Sequence, residues 1–282
     1  MPDTWPRLAR RARRNRVIGA LAALLLVTGA GGYALWPRSL TAEPVMYGEP
    51  RFDEGWTLRL RSGGALRLDA IKEDDPLIVS GDGHTIVYVL DGRVRARDLR
   101  NGTIHDLGPA DRVTGLHTSF DGGDIAVAFP DRTLLANLAT GARRTLPGIC
   151  RISGLSATTV WGAPGCERRG EDSRLVTVRP DGTGAFVGRL TGGLLSPDRR
   201  LLAGDHADGV LISDATSGAK VALVKREHAE VLAWFGDHEV IVEASPYELV
   251  DIRTGRSRRD PALPDGWISY IAWPGSGDDR LG

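Results

Sequence analysis

Ser119 to Gly141 reads SFDGGDIAVAFPDRTLLANLATG, and this stretch decides the fold. It opens on an Asp-Gly turn, runs through an alternating apolar segment, turns again and closes on a second strand ending in Thr-Gly. The closing element recurs as Asp-Leu-Arg-Asn-Gly at 98–102, Val-Arg-Pro-Asp-Gly at 178–182, Asp-Ala-Thr-Ser-Gly at 214–218 and Asp-Ile-Arg-Thr-Gly at 251–255. A weaker copy, Leu-Arg-Ser-Gly-Gly, lies at 60–64. The closing glycines Gly64, Gly102, Gly141, Gly182, Gly218 and Gly255 are 38, 39, 41, 36 and 37 residues apart. A period near 40 with several short strands per unit predicts the blades of a propeller.

Local chemistry agrees. Residues 85–90 (TIVYVL) and 124–129 (DIAVAF) are dense in the β-branched and aromatic side chains that suit a pleated surface. Arg93, Arg95 and Arg97 alternate with Val94, Ala96 and Asp98, which puts the charged set on one strand face. Asp82-Gly83 and Asp121-Gly122 supply tight turns earlier in the unit. Beyond residue 40 no stretch holds helical periodicity, so almost no helix is expected there.

The chain splits into four parts. Residues 1–16 form a basic tail, with six arginines against the single acid Asp3. Residues 17–36 (VIGALAALLLVTGAGGYALW) carry no charge over 20 residues, enough to cross roughly 30 Å of hydrocarbon as a helix. Tyr33 and Trp36 stand at its far end, where amphipathic rings favour the interface. The arginine cluster predicts a cytoplasmic N-terminus, a single membrane pass and an extracytoplasmic remainder. A cleaved signal peptide, giving a secreted protein, is the alternative. Residues 37–53 are a proline-containing linker, and 54–282 are the propeller.

Five complete units are expected, at about 76–108, 113–148, 149–188, 190–224 and 229–264. The strand pair 56–62 and 65–71 then joins 267–275 in a composite blade that closes the ring. The expected fold class is therefore all-β, a six-bladed propeller, with seven blades as the alternative, preceded by one transmembrane helix. Sewing both chain ends into one sheet leaves no free edge at the seam.

The part beyond residue 16 carries a net charge of −5, since the tail holds +5 of a total of zero. It has no basic surplus to draw it onto nucleic acid. Cys150 and Cys166 flank a predicted hairpin near its open end, and in an oxidising compartment a disulfide is expected between them.

With this repeat in hand, the chain resembles the WD40-like family of β-propellers, including the bacterial TolB-like forms, over residues 55–275. Asp98, Asp214 and Asp251, each four residues before a closing glycine, carry the resemblance, with Asn137 in the equivalent place. Ser196-Pro197-Asp198 also fits the family turn, whereas the Trp-Asp pair and the Gly-His signature are missing. The resemblance implies a disc with a central channel and loop-built binding faces, and no particular ligand.

Catalytic and metal patterns are sparse. His84, His105, His117, His206, His228 and His238 are scattered without ligand spacing, and Asp205-His206-Ala207-Asp208-Gly209 reads as a solvated turn. The recurring Asp98, Asn137, Asp214 and Asp251 read as turn-formers that accept backbone N–H bonds. Trp234 and Trp273 occupy first-strand positions, where packing between blades needs bulk. The irregular loop from Gly165 to Ser173, with Arg168, Arg169 and Glu171, is the expected partner-binding element. No cofactor is implied. The leading expectation is a non-catalytic binding or scaffolding module on the outer face of the cytoplasmic membrane, bound to a protein or cell-envelope ligand. An envelope sensor working with a cytoplasmic partner, and a propeller hydrolase or lyase, are the alternatives.

Overall fold

The computed structural model describes residues 43–273, except 52–54, 73, 157–158, 165–173, 179–183, 190–193, 227–228, 244–246, 262 and 265–271. For residues 150, 151, 153, 163, 164, 174–178 and 184–189 only the backbone is described. The expected anchor at 17–36, the tail before it and the loop holding Arg168, Arg169 and Glu171 lie outside the described residues. So do Cys166 and the side chain of Cys150.

Twenty-three strands and no α-helix are found among the described residues. A seam sheet contains β1 (Val45–Arg51), β2 (Gly55–Leu60) and β3 (Ala65–Leu68). Blade 1 follows with β4 (Leu77–Val79), β5 (Thr85–Leu90), β6 (Arg93–Asp98) and β7 (Ile104–Pro109). Blade 2 holds β8 (Gly115–Thr118), β9 (Asp124–Ala128), β10 (Arg132–Asn137) and β11 (Arg143–Pro147). Blade 3 holds β12 (Ile149–Ser156), β13 (Thr159–Pro164), β14 (Arg174–Val178) and β15 (Gly184–Arg189). Blade 4 holds β16 (Leu194–Leu195), β17 (Leu201–His206), β18 (Gly209–Asp214) and β19 (Lys220–Lys225). Blade 5 holds β20 (Glu230–Phe235), β21 (Glu239–Glu243), β22 (Glu248–Asp251) and β23 (Ser257–Arg258).

Each blade is an antiparallel meander, so its first and third turns share one end and its second turn sits at the other. We call the first the turn face. The sheets pack in sequence through apolar clusters. Val87, Val94, Leu116 and Ile125 join blades 1 and 2, and Ala126, Leu146, Ile152 and Val160 join blades 2 and 3. Trp161, Leu202 and Ala215 join blades 3 and 4, and Val210, Ile212, Trp234 and Val240 join blades 4 and 5. Met46, Tyr47, Ile241, Leu249 and Trp273 then join blade 5 to the seam sheet. On its other side the seam sheet meets blade 1, where Val45 N donates to the Gly83 carbonyl at 2.9 Å.

Two expectations need correction. Five sheets, not six, are four-stranded; the sixth has three described strands. Its fourth position is marked by an isolated antiparallel bridge between Gly48 and Ala272, with mutual backbone hydrogen bonds of 2.9 and 2.8 Å. The segment 37–53 is not all linker, because Val45–Arg51 pairs with β2 from Val45↔Leu60 to Arg51↔Gly55. Its Val-Met-Tyr run supplies apolar side chains that the seam buries, and the surrounding prolines and glycine hid that run from pattern reading. The arginines of β6 share one strand face, and that face is not solvated throughout. Arg97 is only 6% exposed, and burial pushes its pKa down while nearby Tyr88 opposes the shift. Sheets inside a ring are covered on both faces, so strand alternation does not separate inside from outside as it does in a sheet with one wet face.

The seam depends on aromatic packing. Trp273, 4% exposed, has its ring centroid 5.7 Å from Tyr47 and 5.3 Å from Tyr247, the latter edge to face. Replacing Trp273 by Ala removes this contact and leaves a void. Truncations of this kind cost about 3–5 kcal/mol. We expect Trp273→Ala to lower the urea midpoint by a corresponding amount with one cooperative transition retained, measured by equilibrium unfolding followed by circular dichroism.

Candidate binding face

The first turns of blades 1, 2 and 4 share one hydrogen-bond design. In Ser80-Gly81-Asp82, Ser119-Phe120-Asp121 and Ser196-Pro197-Asp198 the serine hydroxyl donates to the aspartate at 2.5, 2.6 and 2.7 Å. Each serine oxygen also accepts the backbone N–H five residues on, from Thr85, Asp124 and Leu201, at 2.9 Å in all three. Each aspartate accepts the N–H two residues on, from His84, Gly123 and Arg200. The three serines are at most 1% exposed, so these buried hydroxyls are fully used. The residue after each aspartate has positive φ: 74° at Gly83, 69° at Gly122 and 65° at Arg199. Glycine adopts that conformation without strain and arginine does not.

These turns link to one another around the ring. Asp82 N donates to the Phe120 carbonyl at 2.7 Å, and Gly83 O accepts from Val45 at the start of β1. The Phe120 ring lies over Gly81, where any Cβ would collide with it. Arg199 lies 3.8 Å from the Asp121 carboxylate.

At the seam end of this arrangement is a cavity of about 200 Å³. It is lined from four sheets: Val45 and Met46 of the seam sheet, Asp82 of blade 1, Phe120 of blade 2, and Trp234 and Phe235 of blade 5. Convergence of four sheets on one space places it at the mouth of the ring. Arg61, on the β2–β3 turn, lies 5.1 Å over the Phe235 ring as a cation–π pair and rims the opening. Aromatic and apolar walls with one cation and one carboxylate make a surface suited to a side chain from a partner, with the charges fixing its orientation.

The third turns hold the recurring acids. Asp98 Oδ1 accepts from Arg100 N at 2.8 Å, and Asn137 Oδ1 from Thr140 N at 2.9 Å. Asp214 Oδ1 accepts from Thr216 and Ser217, and Asp251 Oδ1 from Arg253 and Thr254. The glycines Gly102, Gly141, Gly218 and Gly255 that follow have φ near 70°. At the weakest copy it is Gly63, φ 90°, that turns the chain. The backbone N–H bonds, from Ser217 and Thr254 foremost, hold the Asp214 and Asp251 carboxyls below the ordinary carboxylate range. For Asp98 burial pushes the other way, but the bonds from Arg100 outweigh it and the net shift is again down.

Two further tryptophans and a histidine are placed as follows. Trp161 and Trp234 are buried between blades, and their indole N–H groups donate to the Ala215 and Leu194 carbonyls at 3.0 and 2.7 Å. His206 Nδ1 accepts from Asp208 N at 3.1 Å within its turn. No cluster of three metal-ligating side chains occurs among the described residues. The mouth residues Arg61, Phe120 and Phe235 were not singled out in the sequence, and of the first-turn serines only Ser196 was, within its Ser-Pro-Asp turn. A Ser-x-Asp triplet recurring after 39 and then 77 residues, one and two repeat lengths, was the available signal.

No family model matches this chain, and no curated protein matches it by sequence. Solved structures do. A structure of a nidogen/laminin complex aligns with a TM-score of 0.53 at 11% identity, covering 76% of this chain and 91% of that one. An oligogalacturonate lyase from Vibrio parahaemolyticus aligns at 0.51 and 11%, covering 77% of each. TolB from Acinetobacter baumannii aligns at 0.50 and 14%, covering 78% of this chain and 63% of TolB. At such identities the likeness gives the fold: this protein is a β-propeller similar in fold to TolB.

The lowered carboxyl pKa values give a pH prediction. A carboxyl whose folded pKa lies below its unfolded value stabilises the fold above the unfolded pKa, about 3.9, and that stabilisation is lost as pH falls through the folded value. Asn137 occupies the same place without titrating. We expect Asp214→Asn to lose that contribution and lower stability somewhat at pH 7, with the gap to the wild type closing between about pH 4 and pH 2 as the aspartate is protonated. Denaturant midpoints measured across that range check it.

Proposed function

We propose that this chain is a non-catalytic binding or scaffolding propeller held at the outer face of the cytoplasmic membrane, with residues 1–16 inside the cell and 17–36 as the anchor. The seam sheet, completed by the segment through Ala272, counts as its sixth blade. The observation that carries the binding role is the mouth cavity, where Phe120, Trp234 and Phe235 meet Asp82 and Arg61 from four sheets. Buried aromatic and arginine anchors are the residue types that dominate protein interfaces. The partner is a protein or cell-envelope ligand that presents an apolar side chain to this opening. The known activity of the lyase neighbour does not weigh on this reading, because the likeness extends to fold alone.

A photo-crosslinking amino acid at Arg61 in the full chain, expressed in cells, tests the proposal against the same probe at Val221. Val221 is 57% exposed on β19, at the outer rim of blade 4. We expect a discrete adduct from position 61 and none from position 221. Adducts from position 221 alone, or from neither position, would remove the mouth as the binding site.

A further inference from the structure

A second cavity, separate from the mouth, lies between blades 2 and 3. It has a volume of about 320 Å³ and is lined by Asp124, Leu135, Asn137, Arg144, Leu155 and Ser156, among others. Register explains why these side chains meet. Asn137 pairs with Asp124 and Leu135 with Arg144, so all four share the face of blade 2 that is turned toward blade 3. Leu135 packs against the cluster containing Leu155 and Ile152, which gives the cavity an apolar floor.

The polar groups around this floor are unevenly satisfied. Asn137 Oδ1 is taken by the Thr140 N–H and hydroxyl, and its Nδ2 donates to Asp124 Oδ1 at 2.8 Å. Ser156 exchanges hydrogen bonds with the Thr159 backbone. That leaves the second oxygen of Asp124 and the guanidinium of Arg144. Among the described residues no ion pair engages either one. Their Cα atoms are two strands and two residues apart, roughly 12 Å by strand geometry.

This is a local departure from the repeat. In blade 5 the equivalent carboxylate, Glu239, is neutralised by a bidentate bridge from Arg258 at 3.0 Å for both contacts. In blades 1 and 4 the equivalent of Asp124 is the uncharged Thr85 or Leu201, and Asn137 stands where both have aspartate. Among the described residues, only in blade 2 of these four does the groove carry a carboxylate and a cation that no ion pair engages, beside an apolar floor.

We propose that this groove binds a free α-amino acid with an apolar side chain. Asp124 accepts from the ammonium group, Arg144 donates to the carboxylate, and Leu135 and Leu155 receive the side chain. A volume of about 320 Å³ is at the small end of ligand pockets, which suits a molecule of that size. An anion alone would leave Asp124 facing it, and a cation alone would leave Arg144 facing it. A zwitterion satisfies both.

The test is calorimetric titration of the full-length chain in detergent with L-leucine, N-acetyl-L-leucine and L-leucinamide. We expect saturable binding of L-leucine. The acetylated probe lacks the ammonium group and the amide lacks the carboxylate, so each should bind at least about 10-fold more weakly, a difference of about 1.4 kcal/mol. Arg144→Gln should weaken leucine about 10-fold and abolish discrimination against leucinamide. Asp124→Asn keeps an acceptor for Asn137 and should abolish discrimination against N-acetyl-leucine. Arg143→Gln should change nothing, because Arg143 donates to the Asp106 carbonyl away from the groove. Absence of saturable leucine binding, or binding that both groove variants leave unchanged, would overturn the proposal. Neither outcome bears on crosslinking at the mouth.

Discussion

The structure depends on the antiparallel pairing of Gly48 with Ala272. A row of sheets packed face to face must end somewhere, and its two terminal faces would expose apolar side chains to water. Here the first described strand and the last described residues meet in one sheet. Tyr47, Tyr247 and Trp273 fill the joint, so the cluster between blade 5 and the seam sheet is as buried as those between consecutive blades. Gly48 suits this approach: a Cβ there would stand 3.2 Å from both Ala272 Cβ and a Leu58 methyl, so those side chains would have to give way by a few tenths of an ångström. The meeting of Gly48 with Ala272 is therefore a consequence of burying the last two apolar faces.

Once the ring is closed, the turn face is rigid where function would need it. The Ser-x-Asp turns bury their hydroxyls, and a backbone hydrogen bond from Asp82 N to the Phe120 carbonyl ties the first turn of blade 1 to that of blade 2. Phe120 is held over Gly81, and Arg199 keeps positive φ beside Asp121. A non-glycine residue in that conformation carries strain that its surroundings must sustain. The mouth is thus built on ordered turns, which suits a surface that meets a partner without first reorganising.

Much of the architecture was legible in the chain because repetition makes a weak signal strong. One strand ending in glycine says little, while six closing glycines spaced 36 to 41 residues apart specify a blade length. Unit boundaries followed, since the complete blades fall at 77–109, 115–147, 149–189, 194–225 and 230–258. The element that was not legible is β1, whose apolar run is short and flanked by Pro44, Gly48 and Pro50. Its strand state is set by pairing with β2 and with a residue more than 200 positions away, which no local pattern records. The cavities were hidden for the same reason. Phe120 and Arg61 are unremarkable in their own units, and they matter because closure brings their units together. Asn137 was noticed as a member of the repeat, yet its distinctness from the aspartates acquires meaning only beside Arg144.

The most direct measurement of the closed ring is amide hydrogen exchange at Gly48 and Ala272 under native conditions. Both N–H groups donate across the seam, at 2.9 and 2.8 Å. The account predicts that they exchange only through global unfolding, with the same protection free energy as Val87 and Val127 in the centres of blades 1 and 2. Exchange at these two amides much faster than at the blade centres would contradict it, and would mean that the ring is not closed at Gly48 and Ala272.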